Sequence, residues 1–209
     1  MLHRLRFVVC VFVLMVKTAT AGEYNAALDI GDEAPNWQDL QGIDGNVHSD
    51  AEFADASFVV LAFLCNSCPY ATDAEDRVMQ LAVKAKQLGG VLIAINVNNI
   101  PADSLEAMKA RAMVREFNFV YLHDPSQKIA KDFGATTTPE FFVLDRDRKV
   151  AYMGSLDDSP DGTDIKTRHV ELAIADIAEG RAPSITETVP IGCRIRFDRV
   201  RRTRRAAGQ

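Results

Sequence analysis

The chain contains no apolar run as long as the ~18 to 20 residues that a membrane-spanning helix needs. It has no internal repeat, no second Cys-x-x-Cys, and no close pair among its four histidines. The first absence leaves no stable membrane span once a leader is removed. The last two remove the usual ligand spacing of a structural zinc site. Cysteine is scarce, with four in 209 residues. Basic residues are scarce too, except at the two ends.

His3, Arg4 and Arg6 open the chain, residues 7–16 are wholly apolar, and Ala19-Thr20-Ala21 precedes Gly22. This is the pattern of a cleaved secretory signal peptide over 1–21, and an uncleaved anchor is its alternative. No cysteine stands where a lipoprotein anchor would need one. The expected location is periplasmic or extracellular, an oxidising compartment. Cys10 leaves with the leader, so Cys65, Cys68 and Cys193 remain. An odd count implies a free thiol, a bridge to a partner, or a third participant in exchange.

Without the leader the chain has 21 basic against 29 acidic residues, and seven of the basic ones are arginines between Arg194 and Arg205. An acidic body of about net −14 therefore carries a basic tail over 193–209, expected to be disordered or loosely docked. Nucleic acid is not an expected partner for such a body. The domain is expected over 22–192.

Residues 58–64 are apolar at every position and end in Cys65-Asn66-Ser67-Cys68-Pro69. Continuous hydrophobicity predicts a strand buried on both faces. Residues 69–88 then take helical spacing, with Val78, Leu81, Ala82 and Ala85 on one stripe and Gly89-Gly90 as the stop. A dithiol on a strand-to-helix turn has its sulfur near unpaired backbone N–H groups, which favour a thiolate. A disulfide closing so short a loop removes little unfolded-state entropy, so exchange is a better reading than a structural staple. Cys65, expected to be the more exposed, is the attacking thiol, and Cys68 resolves the mixed disulfide.

Further strands are expected near 37–40, 47–48, 91–97, 120–122, 141–144 and 149–153. Helices are expected from Asp103 or Ser104 to about 117, over 127–133 and over 169–179, with a helical turn at 50–53. Parallel units followed by a hairpin and a last helix predict an α/β fold with a mixed sheet between helices. The segment after Gly180 reads as irregular. Glu75 and Asp76 complement the helix dipole or assist proton transfer, and Asp157-Asp158 lie in a solvated loop or a cation site. A metal site could combine the three cysteines with His48, His123 or His169. His169 itself reads as a packing or capping residue.

The ensemble of Phe63-Leu64-Cys65-Asn66-Ser67-Cys68-Pro69-Tyr70, Glu75-Asp76-Arg77, Thr138-Pro139-Glu140, Ala151-Tyr152-x-Gly154, Asp157-Asp158 and Gly192-Cys193-x-Ile195 resembles the thioredoxin-like superfamily. It is closest to the redoxin, peroxiredoxin-like group related to AhpC/TSA and TlpA. The resemblance spans about residues 30–195. It implies a three-layer α/β/α sandwich with the peroxiredoxin/TlpA-type insertion. It also implies that Pro139 is a cis-proline beside the dithiol, with the Thr138 backbone free to pair with an extended substrate. The group usually has His where Ser67 stands, which implies a less depressed Cys65 and a less oxidising couple here. No Trp precedes Cys65, unlike thioredoxin. Were Cys68 a peroxidatic cysteine, Cys65 would occupy the position where peroxiredoxins need Thr.

The expected function is an exported thiol-disulfide oxidoreductase that acts on disulfide- or thiol-containing protein clients, exchanges with a redox partner, and uses no organic cofactor or metal. The alternatives are a thiol-dependent peroxidase and a non-enzymatic metal- or partner-binding module on the same fold.

Overall fold

The computed structural model describes residues 22–199. The expected signal peptide and the tail beyond Arg199 lie outside the described residues.

Strands β1 (Leu40–Gly42) and β2 (Val47–His48) make an antiparallel hairpin, followed by one helical turn at Asp50–Phe53. Strand β3 (Val59–Phe63) leads through the cysteine turn into helices α1 (Pro69–Asp73) and α2 (Glu75–Gln87). Residues 69–88 were expected as one helix. The interruption is slight, because Ala74 keeps right-handed φ and ψ and its carbonyl still accepts from Val78 N. Gly89, at φ +81°, ends α2 in a conformation that L side chains resist.

Next come β4 (Val91–Asn96), α3 (Leu105–Arg115), β5 (Val120–His123) and α4 (Lys128–Asp132). The chain closes with β6 (Thr137–Thr138), the hairpin β7 (Glu140–Leu144) and β8 (Val150–Gly154), α5 (His169–Ala178) and β9 (Cys193–Arg194). The main sheet has seven strands in the order β2-β1-β5-β4-β3-β7-β8. Strands β3, β4 and β5 run parallel, and the outer pairings are antiparallel. This is the expected mixed α/β sheet.

Strand β3 is central, and its side chains alternate between two cores. Phe58, Val60, Ala62 and Leu64 pack with Val78 and Leu81 of α2 and with Val170 and Ile174 of α5. Val59, Leu61 and Phe63 pack on the other face with Ile129 and Phe133. Phe63 is fully buried and meets Phe133 and Phe142 edge-to-face at 6.0 and 5.8 Å. Such burial stabilises by roughly 1.5–3 kcal/mol per large apolar side chain. Sandwiching β3 in this way holds the Cys65–Cys68 turn at its carboxyl end.

The acidic motifs are architectural. Glu75 is buried and pairs with Arg111 and, at 3.0 Å, with Arg115 of α3. Asp76 takes the other side of Arg115 at 2.6 Å. Asp157 is not solvated as expected: it is 4% exposed and pairs with Arg77 at 2.5 Å. Arg77 also donates to the Ser159 and Pro160 carbonyls, tying the 157–162 loop to α2.

The segment after Gly180 differs from expectation. Thr138 of β6 pairs with Cys193, and Thr137 with Arg194. Ile195 N then donates to Thr136 O, and Arg196 N to Asn98 Oδ1. Gln127 holds the Arg196 carbonyl and the Asp198 N–H. Within the described residues, 193–198 is thus a docked part of the fold. Apolar Ile195 is 6% exposed and anchors it. Among the described residues no helix is long and apolar enough to cross a membrane.

Candidate active site

Three features converge at the carboxyl end of β3: the turn after β3, the loop after β4, and the Thr138-Pro139 peptide before the antiparallel β7. Helix α1 begins at Pro69 with Cys68 as its N-cap, three residues later than a cap at the first cysteine would need. Residues 65–67 therefore form a separate turn, which must find its hydrogen bonds elsewhere.

Asp103 supplies them. Its Oδ1 accepts from Asn66 N at 2.7 Å and Ser67 N at 3.0 Å. Its Oδ2 accepts from Ser67 Oγ at 2.6 Å and Asn98 Nδ2 at 3.1 Å. The carboxylate is fully buried, and four donors compensate that burial. Ser104, the next residue, caps α3 through its hydroxyl, which accepts from Ala107 N. The two expected capping candidates thus divide their tasks. Asp103 as a clamp on the cysteine turn was not foreseen.

The Thr138–Pro139 peptide is cis, and Thr138 contacts both sulfurs. Its hydroxyl lies 3.2 Å from Cys65 Sγ, and its carbonyl oxygen accepts from Cys68 Sγ at 2.9 Å. Glu140 steadies this loop from behind, its Oε2 accepting from the N–H groups of Thr136 and Thr137. Burial holds Glu140 above the ordinary carboxyl range, against those same hydrogen bonds.

Cys65, Cys68 and Cys193 are all free thiols. Cys65 was expected to be exposed, yet it is 4% exposed and Cys68 1%. Cys193 is only partly buried. The expected free Thr138 backbone is likewise corrected: β9 occupies it. The physical reason is the anchored tail, whose strand pairing covers the edge beside the dithiol.

The two thiols are coupled. Hydrogen bonding from Cys65, joined by donors from Cys193 and the Ala71 N–H, lowers Cys68 to about 5 against burial, while the interaction with Cys68 and burial raise Cys65. The Thr138 carbonyl opposes this split. At 2.9 Å it accepts from an S–H and would repel a thiolate. The Thr138 hydroxyl can donate to a charge on Cys65 instead. The pair therefore loses its first proton more readily than an isolated buried thiol.

The residues of the metal alternative are not gathered among the described residues. His48 is bonded to Asp44 and Glu52. Among the described residues, no group of three or more His, Cys, Asp and Glu could hold a metal ion. His169 opens α5, as expected from its position.

Residues 30–153 match the AhpC/TSA family. No curated protein matches the chain. Among solved structures, an uncharacterized conserved protein from Geobacillus kaustophilus is 32% identical with a TM-score of 0.78, covering 84% of this chain and 96% of its own. A hypothetical protein from Sinorhizobium meliloti is 30% identical with a TM-score of 0.78, covering 84% and 98%. A structure described as a thiol:disulfide interchange protein DsbE, from Chlorobium tepidum, is 28% identical with a TM-score of 0.53, covering 60% and 84%. With the mixed sheet, the strand-to-helix Cys-x-x-Cys and the cis-proline beside it, these matches establish that the chain belongs to the AhpC/TSA family of thioredoxin-fold redoxins.

Proposed function

We propose that the protein is an exported thiol-disulfide oxidoreductase that exchanges disulfides with protein clients through Cys65 and Cys68. The observation that carries this reading is the Thr138 bridge. One residue offers a hydroxyl to Cys65 and a carbonyl to Cys68, which sorts an otherwise equivalent pair into a thiolate and a proton-bearing thiol. The signal-like first residues support export. The likeness to a thiol:disulfide interchange protein supports the reaction class.

In the proposed reaction Cys65 thiolate attacks one sulfur of a client disulfide. A Cys65–client mixed disulfide forms and the other client sulfur leaves as a thiolate. Cys68 then loses its proton and attacks Cys65 Sγ, releasing the second client thiolate and closing the Cys65–Cys68 disulfide. The client gains two electrons and two protons. The sulfurs carry the electrons, so the step calls for no organic cofactor. The client's extended backbone takes the Thr138 edge in place of β9, as in strand addition generally. A redox partner returns the dithiol to its starting state.

Reduction of insulin disulfides by the reduced protein tests the reading. Wild type is expected to be active, and Cys65→Ser to fall to background. Undiminished activity in Cys65→Ser would overturn it. Rapid peroxide consumption that survives Cys65→Ser and is lost in Cys68→Ser would identify the thiol-peroxidase alternative.

A further inference from the structure

Cys193 stands in a place that the two-cysteine reaction leaves unused. Cys193 packs against the core cluster that contains Cys65 and Cys68, and its thiol and backbone N–H act on the Cys68 sulfur. Strand pairing sets it opposite Thr138, whose carbonyl holds that same sulfur. The seat is specific. A Cβ on Gly192 would lie 2.2 Å from Thr138 O and 3.0 Å from Pro139 N, so glycine is required for the approach. Ile195 and the Gln127 and Asn98 side chains fix the other end. Cys193 is also the most accessible of the three thiols, because Cys65 and Cys68 are buried.

We propose that Cys193 is a third catalytic thiol, which takes over the Cys65–Cys68 disulfide at Cys68. The inference rests on the dithiol reading above and extends it. Cys193 gives its proton to solvent and its thiolate attacks Cys68 Sγ. The Cys68–Cys193 bond forms, the Cys65–Cys68 bond breaks, and Cys65 leaves as a thiolate. One thiol and one disulfide exist before and after, so no further oxidant is needed beyond the client disulfide.

The Cys193 thiol is held up at about 11 by burial and by its hydrogen bond with Cys68. The second influence ends when Cys68 enters a disulfide, while Tyr70 N–H and Arg196 continue to favour the Cys193 thiolate. The product places the disulfide on the accessible sulfur, where a redox partner reaches it. It also ties β9 covalently to the client edge, so a second client is refused until the partner has acted.

The test is a disulfide map of the full-length protein, oxidised with excess glutathione disulfide, acid-quenched, blocked with N-ethylmaleimide and cleaved. Wild type is expected to yield both Cys65–Cys68 and Cys68–Cys193 peptides, and Cys65→Ser to yield Cys68–Cys193 with no free thiol left. Gly192→Ala is expected to reduce the Cys68–Cys193 share several-fold and to spare Cys65–Cys68. Wild type that gives Cys65–Cys68 with no trace of Cys68–Cys193 overturns the proposal. Cys193→Ser that fails to form Cys65–Cys68 would instead overturn the dithiol reading beneath it.

Discussion

Ser67 gives its hydroxyl hydrogen to Asp103 Oδ2 across 2.6 Å, so it has none left for Cys65, whose sulfur is 3.7 Å away. Ser67 is thus bound into the scaffold and does little for the thiolate. Ser67→His should place a cation beside Cys65. The pH midpoint of Cys65 alkylation is expected to fall by about one unit or more, the usual effect of an opposite charge at short range. Ser67→Ala should leave the midpoint nearly unchanged. An unchanged midpoint in Ser67→His would contradict this account of the turn.

Asp103 acts on the site in two ways. Cys65 is raised by its hydrogen bond with Cys68, by burial, and also by the Asp103 charge. Asp103→Asn removes that charge, so Cys65 is expected to be alkylated at lower pH. Asp103→Ala also strands the Asn66 and Ser67 N–H groups and is expected to cost roughly 2 kcal/mol in denaturant unfolding. A higher alkylation midpoint in Asp103→Asn would refute the electrostatic part.

The hairpin end carries a pH-dependent contact. His48 sits 2.9 Å from Glu52 and 3.1 Å from Asp44. Burial opposes its protonation, but the hydrogen bonds to Glu52 and Asp44 outweigh burial and raise it. A raised histidine contributes stability that is full below its unfolded value and is lost as pH rises through the folded one. Both carboxylates are lowered, Glu52 chiefly by His48 and Asp44 by Asn46 and His48 against burial. Their share is lost as pH falls. The Tm difference between wild type and His48→Gln should therefore peak near pH 5–6 and shrink by about pH 8. A difference that grows above neutrality would contradict the pairing.

Arg77→Ala leaves Asp157 nearly fully buried, with its 2.5 Å partner gone. Removing one member of a buried pair costs about 3–5 kcal/mol. Because the 157–162 loop hangs on the same guanidinium, its amides are expected to lose hydrogen-exchange protection before those of α2. Equal protection across both segments would show that the loop is held in some other way.

The most legible part of the fold was β3. Seven consecutive apolar residues require cover on both faces, and the two cores provide it. The cysteine turn and the helix stop at Gly89 were legible from local chemistry. The cis Thr138–Pro139 peptide came only from resemblance. Asp103 was not legible, because its role depends on the carboxyl ends of β3 and β4 being neighbours, and capping explained the residue equally well locally. The docked tail was hidden for a similar reason. A two-residue strand has no periodicity to detect, and the need for Gly192 exists only against the Thr138 backbone. The burial of Cys65 involves Thr138, distant in sequence, so sequence spacing alone pointed to exposure.

The central claim is that Cys65 attacks and Cys68 resolves. Its most direct test is to mix reduced Cys68→Ala protein with a disulfide-bonded client such as insulin, quench with acid, and map the adducts. The account predicts a stable client adduct through Cys65. Wild type should show it only transiently, and Cys65→Ser should not form it there. An adduct that forms on Cys68 in a Cys65→Ser protein, with none on Cys65 in Cys68→Ala, would contradict the account.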